Sequence, residues 1–330
     1  MKRLRTSLWL LLVLVTLSSA VSSCGTDVSQ PVLPTGGSTD LEPGADEIKV
    51  VVLVIDGPRY TETFGDSTHQ HVPHIWNQLA PQGTLFLNFR NVGWTATVPG
   101  HASLLTGTWQ LLNNEGLERP HAPTIFEYFR AHTGADSTAA VLVGGKPKLA
   151  ACTYSNHVDY GASFGATEDV GHPSDVAVYE RLVSVLANDK PRLVMAGFSI
   201  TELMAHSGVW EDYVAQIRVA DSLALVTWNT LQNDPYYAGQ TYMFITSDHG
   251  RHDDLHGSFQ HHGDSCEGCQ RLTLLALGPG VRQNYTVPLQ MPFTQRDLCP
   301  TVGQILGVPT PLSDGRVIQD MFEPVTTGIR

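Results

Sequence analysis

Lysine and arginine are scarce in this chain, 20 of 330 residues against 32 aspartates and glutamates, for a formal net charge of −12. No basic cluster interrupts that acidity, which argues against recognition of nucleic acid through its phosphate backbone. Cysteine is sparse too, with five residues, and the one close pair, Cys266-x-x-Cys269, has no second closely spaced pair to complete a zinc ribbon. No internal repeat is visible, which removes repeat architectures. The longest apolar run, Leu8-Trp-Leu-Leu-Leu-Val-Leu-Val15, is too short for a stable membrane span.

What is present fits one large α/β domain. A chain of 330 residues can bury on the order of 75% of its unfolded surface without staples. Apolar runs and helical spacings alternate along it. The runs are Val50 to Ile55, Thr138 to Val143, a stretch from Leu193, Tyr242 to Ser247 and Leu272 to Leu277. The helical spacings follow Thr97 and cover Thr124 to Ala131, Asp175 to Ala187 and roughly Glu211 to Leu231. Such alternation predicts a mainly parallel central sheet covered by helices.

Thr95-Ala-Thr-Val-Pro-Gly-His101, closed by Leu104-Leu-Thr-Gly107, puts a hydroxyl at an expected helix start. A hydroxyl is a weak nucleophile unless a base or a metal activates it, and the rest of the chain supplies donors. Asp56 follows the first apolar run, Glu202 and His206 follow the Leu193 stretch, and Asp248-His249 follow the Tyr242 stretch. In open parallel sheets, side chains just past several strands converge at one crevice. With His262 and the Thr97 hydroxyl, seven oxygen and nitrogen donors of the kind that suits zinc are available, enough for two divalent metals. Five of the 14 histidines fall between 249 and 262. His252, His256 and His261 read as residues around the ligand set, because seven donors already fill it.

These residues resemble the alkaline phosphatase superfamily, and within it the type I phosphodiesterase and nucleotide pyrophosphatase branch. The resemblance runs from about Ile48 to Met321. It rests on Asp56-Gly57, the Thr-x-Pro-x-His segment with its Leu-Thr-Gly, Asp248-His249-Gly250, His262-Gly263, and the tail Asp297-Leu-Cys-Pro-Thr-Val with Leu306-Gly, Pro311 and Asp314-Gly315. It implies an alkaline phosphatase-like fold with helices on both faces. It also implies that Asp56, Thr97, Asp248 and His249 hold one metal while Glu202, His206 and His262 hold the other. One position departs from the family pattern, because Thr201-Glu-Leu-Met-Ala-His206 stands where Pro-Asp-x-x-x-His is usual. The extra methylene of Glu202 moves its oxygens by more than about 1 Å, which predicts a weaker or displaced second metal.

The resemblance implies hydrolysis of a small-molecule phosphate ester, a phosphodiester in the first instance, through attack by Thr97 and a phosphothreonine intermediate. Relatives place an asparagine near the nucleophile, and Asn113 and Asn114 are the nearest in sequence although the spacing fits poorly. Lys146, Lys148 and Arg251 are open between substrate contact and solvated surface. Phosphomonoesterase, phosphotransferase or mutase activity stays open as well, as does a non-catalytic metal-binding surface lipoprotein. A sulfatase of the superfamily needs a cysteine or serine where this chain has Thr97.

The N-terminus reads as a targeting segment. Lys2, Arg3 and Arg5 precede the apolar run, and Val21-Ser-Ser-Cys24 resembles the lipobox of bacterial lipoproteins. Residues 1–23 are then the signal peptide, Cys24 is lipidated, and 24–46 form a Gly/Pro/Ser/Thr/Asp-rich tether. Residues 47–330 form the metallohydrolase domain, held at the bacterial cell envelope and facing the periplasm or exterior. An ordinary secretory peptide cut near Ala20 is the alternative. In such a compartment Cys152, Cys266, Cys269 and Cys299 allow two disulfides in three connectivities, among which the sequence does not choose.

Overall fold

The computed structural model describes residues 48–323; the expected signal peptide, Cys24 and tether lie outside the described residues. The strands are β1 (Lys49–Ile55), β2 (Thr84–Arg90), β3 (Ala140–Gly144), β4 (Thr167–Val170), β5 (Leu193–Phe198), β6 (Thr241–Thr246), β7 (Arg271–Leu277), β8 (Tyr285–Val287) and β9 (Phe293–Thr294). The α-helices are α1 (Thr97–Thr106), α2 (Ile125–Thr133), α3 (Asp175–Asn188), α4 (Ile200–Ser207), α5 (Trp210–Asn233), α6 (Glu267–Gln270) and α7 (Leu298–Leu306). Among the described residues the strands form one sheet in the order β4-β3-β5-β1-β6-β7-β2-β8, with β9 also paired to β2.

β1 shows why the sheet is a central layer. All seven of its residues are buried, and successive side chains point to opposite faces. Val50, Val52 and Val54 join the core under α1, α2 and α7, while Val51, Leu53 and Ile55 join the core under α3 and α5. A strand buried on both faces reads as a continuous apolar run, which is how Val50–Ile55 appears in the sequence. Pairing is parallel from β4 through β3, β5 and β1 to β6. It is antiparallel where β7 meets β6 and β2. The mainly parallel sheet with helices on both faces is therefore as expected. The reversed β7 matters for the site: chain entering β7 arrives at the edge where β1, β5 and β6 leave.

Several elements had no clear sequence signal, β2 and α4 among them. β2 is bulged between Phe86 and Phe89, which breaks its alternation. α4 begins at Ser199, whose side chain makes no capping bond; the N–H groups of Ser199 and Ile200 donate instead to Asp175 Oδ1 at 2.7 and 3.1 Å. A cap from 24 residues away is invisible locally. The four cysteines described are free and buried, so none of the bridges left open by the sequence forms. No helix among the described residues is long and apolar enough to cross a membrane.

Glu127 ties α2 to the loop before β4. Fully buried, it accepts from Thr124 N at 2.6 Å, Ser155 N at 3.0 Å, Ser155 Oγ at 2.7 Å and Gly161 N at 2.7 Å. Glu127→Ala strands two buried N–H groups and a half-buried third and is expected to destabilise the fold by about 4 kcal/mol, read as a lowered urea midpoint with unchanged slope.

Candidate active site

Four neighbouring parallel strands deliver the site. In the order β3, β5, β1, β6 their carboxyl ends lead to Lys146, to Glu202 and His206 on α4, to Asp56, and to Asp248-His249. α1, which follows β2, brings Thr97 from the next layer, and the segment entering β7 brings His262. Thr97 opens α1 and is wholly buried. Only glycine permits this approach at position 100, since a Cβ there would stand 2.4 Å from the Asp248 carbonyl oxygen.

The Lys146 ammonium sits at the focus of the acidic groups. It donates to Asp56 Oδ2 at 2.6 Å and to the Thr97 hydroxyl at 3.1 Å, and it pairs with Glu202 Oε2. The other oxygen of Glu202 lies 2.9 Å from His262 Nε2 and 3.2 Å from His206 Nε2. Glu202 thus faces both halves of the site. His249 Nε2 lies 3.5 Å from both Asp56 Oδ1 and Asp248 Oδ2, and its ring stacks on His262 with centroids 3.9 Å apart.

Burial and neighbouring charge set the ionisation of these groups. Burial pulls the Asp56 carboxyl up, but Lys146, His249 and His101 hold it well below the usual carboxylate range. Asp248 is raised by burial and by the Asp56 charge. Burial, with His262 beside it, keeps His249 far below its ordinary value, and burial lowers His262. His206 falls to about 4 through burial and the Arg251 and His262 charges. Neutral imidazoles beside ionised carboxylates are metal-ready ligands.

The donor set fits divalent cations. Asp56 Oδ1, Asp248 Oδ2 and His249 Nε2 are buried without a hydrogen-bond partner, an arrangement that protein interiors avoid unless something else satisfies those atoms. His249 Nδ1 donates to Gly250 O and His262 Nδ1 to Thr95 O, both at 2.8 Å, which leaves each Nε2 with its lone pair toward the site. Glu202, His206 and His262 form one cluster, as expected, and Asp56, His249 and Glu202 form a second. Glu202 belongs to both groups. Asp248 is held by Gly57 N at 3.2 Å and His249 N at 3.0 Å.

The remaining candidates separate. Asn114 Oδ1 accepts from Val98 N at 2.9 Å, supplying the α1 cap that Ala96 lacks. Asn113 makes a turn with Glu115 N and lies outside the site. Arg251 is buried and organises the chain behind His206: it donates to Phe259 O, to Gln260 O at 2.8 Å and toward His206 Nδ1 at 3.4 Å. Lys148 is half-buried near Lys146. His101 closes the Thr-x-Pro-x-His segment but was given no role from the sequence, yet it is buried, with Nδ1 2.9 Å from Thr97 O and 3.4 Å from Asp248 Oδ2. The signal was available, since Thr97 and His101 are four apart on one helix face.

Asp175 supports α4 from below. Burial pushes its carboxyl up to about 6 from an ordinary 3.8, so over that interval the native state holds a proton that the unfolded chain has lost. Stability from this group is complete below the lower value and falls as pH rises through the upper one. Asp175→Asn keeps the acceptor for Ser199 and Ile200, so the variant is expected to gain stability relative to the parent across roughly pH 4 to 6 in parallel urea titrations.

No family model matches the sequence, and no curated protein matches it. Solved structures do. A 2-O GAG sulfatase superposes with a TM-score of 0.63 at 15% identity, covering 84% of this chain and 75% of its own. Murine ectonucleotide pyrophosphatase/phosphodiesterase 5 gives 0.61 at 15%, covering 83% and 100%. The phosphonate monoester hydrolase of Agrobacterium radiobacter gives 0.57 at 16%, covering 86% and 79%. This chain therefore has the alkaline phosphatase-like fold that these hydrolases share.

Proposed function

We propose that the protein is a two-metal phosphoric ester hydrolase, a phosphodiesterase in the first instance, with Thr97 as nucleophile. The observation that carries this reading is the set of buried, unpartnered donor atoms beside an ammonium that also donates to a buried threonine hydroxyl at a helix start. A threonine-to-alanine variant of the murine phosphodiesterase is described as inactive and was solved in complex with AMP, which supports a threonine in this role. Asp56, Asp248 and His249 would hold one cation, and His206 and His262 the other, with Glu202 reaching both. Zinc is the metal proposed for this oxygen and nitrogen donor set. When bound, the cations supply Lewis acidity and neutralise phosphoryl charge.

The chain's own groups do the rest. The Lys146 ammonium donates to Thr97 Oγ1 and lowers the energy of the alkoxide. Thr97 gives up its hydroxyl proton to solvent and attacks phosphorus in line, the bond to the leaving oxygen breaks with that oxygen departing as alkoxide or alcohol, and a phosphothreonine forms. Water then attacks that ester from the side the leaving group vacated. Asn114 holds the start of α1 so that Thr97 keeps its direction.

A phosphomonoesterase is the second reading, favoured by Lys146, because an ammonium 3.1 Å from the nucleophile complements the additional charge of a monoester. Attachment to the envelope through a lipidated Cys24 is part of the proposal, with a small-molecule ester as the partner. The test compares a nitrophenyl phosphodiester, the phosphomonoester and the sulfate ester on zinc-reconstituted protein. Diester turnover exceeding the other two is expected; a monoester preference selects the second reading, and sulfate preference or silence on all three counts against both.

A further inference from the structure

A further group of side chains that could hold a metal lies in the long connection between β6 and β7. The sequence offers Cys266-x-x-Cys269 without a matching cysteine pair, but the fold folds the earlier half of the connection back onto it. Gly250 N donates to Cys269 O at 2.8 Å, and His252 N donates to His261 O at 2.8 Å. Glycine at 268, inside the Cys-x-x-Cys turn, is what lets the two passes touch: a Cβ there would stand 2.4 Å from Arg251 O and 2.7 Å from Asp253 N.

Three donors meet at that crossing, and Cys266 stands beside them in a neighbouring group with Asp253 and His256. His252, Asp264 and Cys269 offer ligand atoms within 4.8 Å of one another. The Cys266 side chain neighbours both the Asp264 carboxylate and the Cys269 thiol. Asp264 Oδ1 also accepts from Cys266 N at 2.9 Å. His252 Nε2 lies 3.3 Å from Asp264 Oδ2, yet neither of its buried ring nitrogens makes a hydrogen bond. Two donors at that separation, not aligned on each other, match two corners of a tetrahedron around an ion about 2.0 Å from each. Both thiols are buried and free.

We propose that His252, Asp264, Cys266 and Cys269 form a structural zinc site separate from the catalytic cluster. Two thiolates, one imidazole and one carboxylate suit zinc over calcium or magnesium. Binding releases the two thiol protons to solvent. Asp253 and His256, 2.6 Å apart, flank Cys266 without being needed to complete four-coordination. The site staples a connection that has little regular structure of its own yet carries His249, Arg251 and His262. Its Asp264 carbonyl also accepts from Thr95 Oγ1 at 2.7 Å, two residues before the nucleophile.

Cobalt substitution separates this site from the catalytic one, because no cysteine lies among the catalytic donors. Metal-free, reduced full-length protein titrated with Co²⁺ is expected to show thiolate-to-cobalt charge-transfer absorption in the near ultraviolet. That band is expected to persist in His262→Ala and to vanish in the Cys266→Ser/Cys269→Ser double variant, whatever the esterase activity of either. Cobalt uptake without the band in the parent protein overturns the proposal, and the parent spectrum decides alone if the double variant does not fold. The same band in the double variant, or a Cys266–Cys269 disulfide in protein isolated without reductant, overturns it too.

Discussion

Thr97→Ala is expected to lower ester turnover by at least about 10⁴-fold, the scale on which loss of a covalent nucleophile acts, with metal content nearly unchanged. The hydroxyl is the nucleophile of the proposed reaction. It is buried, opens α1 and is hydrogen-bonded by the Lys146 ammonium, while the carboxylates and imidazoles that surround it remain when it is removed. Metal analysis beside kinetics on a nitrophenyl ester separates loss of chemistry from loss of the site. Two in-line displacements also predict retained configuration at a chiral phosphorothioate. Inversion, or turnover that survives in the variant, would remove the covalent step.

Glu202→Asp is expected to be the next most severe, although it restores the residue usual at this position in the resembling family. In this structure one oxygen of Glu202 faces His206 and His262, and the other faces Lys146 near Asp56. Shortening the side chain by one methylene withdraws the carboxylate by more than about 1 Å, so it reaches one cluster and not both. Metal content is expected to fall from two per chain toward one, with turnover down on the order of 10²-fold. Glu202→Ala is expected to lose more on both counts. If the aspartate variant keeps two metals and full activity, the shared role of Glu202 is wrong.

The departure at position 202 was visible in the sequence, but its consequence was not. A glutamate for an aspartate reads locally as a misfit and predicts a weak second metal. Only the placement of α4, whose first N–H groups are held by Asp175, turns the longer side chain into a bridge between clusters. Asn114 is similar: its spacing from Thr97 fits poorly, yet the loop that carries it folds its amide onto Val98, while adjacent Asn113 turns away. Arg251 reads equally as surface or site and is in fact wholly buried.

Local pattern alone was sufficient for the central strands of the sheet and for a threonine at the start of α1. Apolar runs that end in acids, helices at 3.6-residue spacing and a Thr-x-Pro-x-His turn depend on neighbours in the chain, so β1, β5, β6, α3, α5 and the start of α1 are legible from the residues themselves. Tertiary structure alone decided which strands stand side by side, and therefore that Lys146, Glu202, Asp56 and Asp248 share one edge. It decided the reversal of β7 that returns His262 to that edge, and the crossing at Gly268 that joins His252 and Asp264 to a cysteine pair with no partner in sequence. These contacts span tens to hundreds of residues, and their specificity comes from burial and close backbone approach, which no local window of sequence contains.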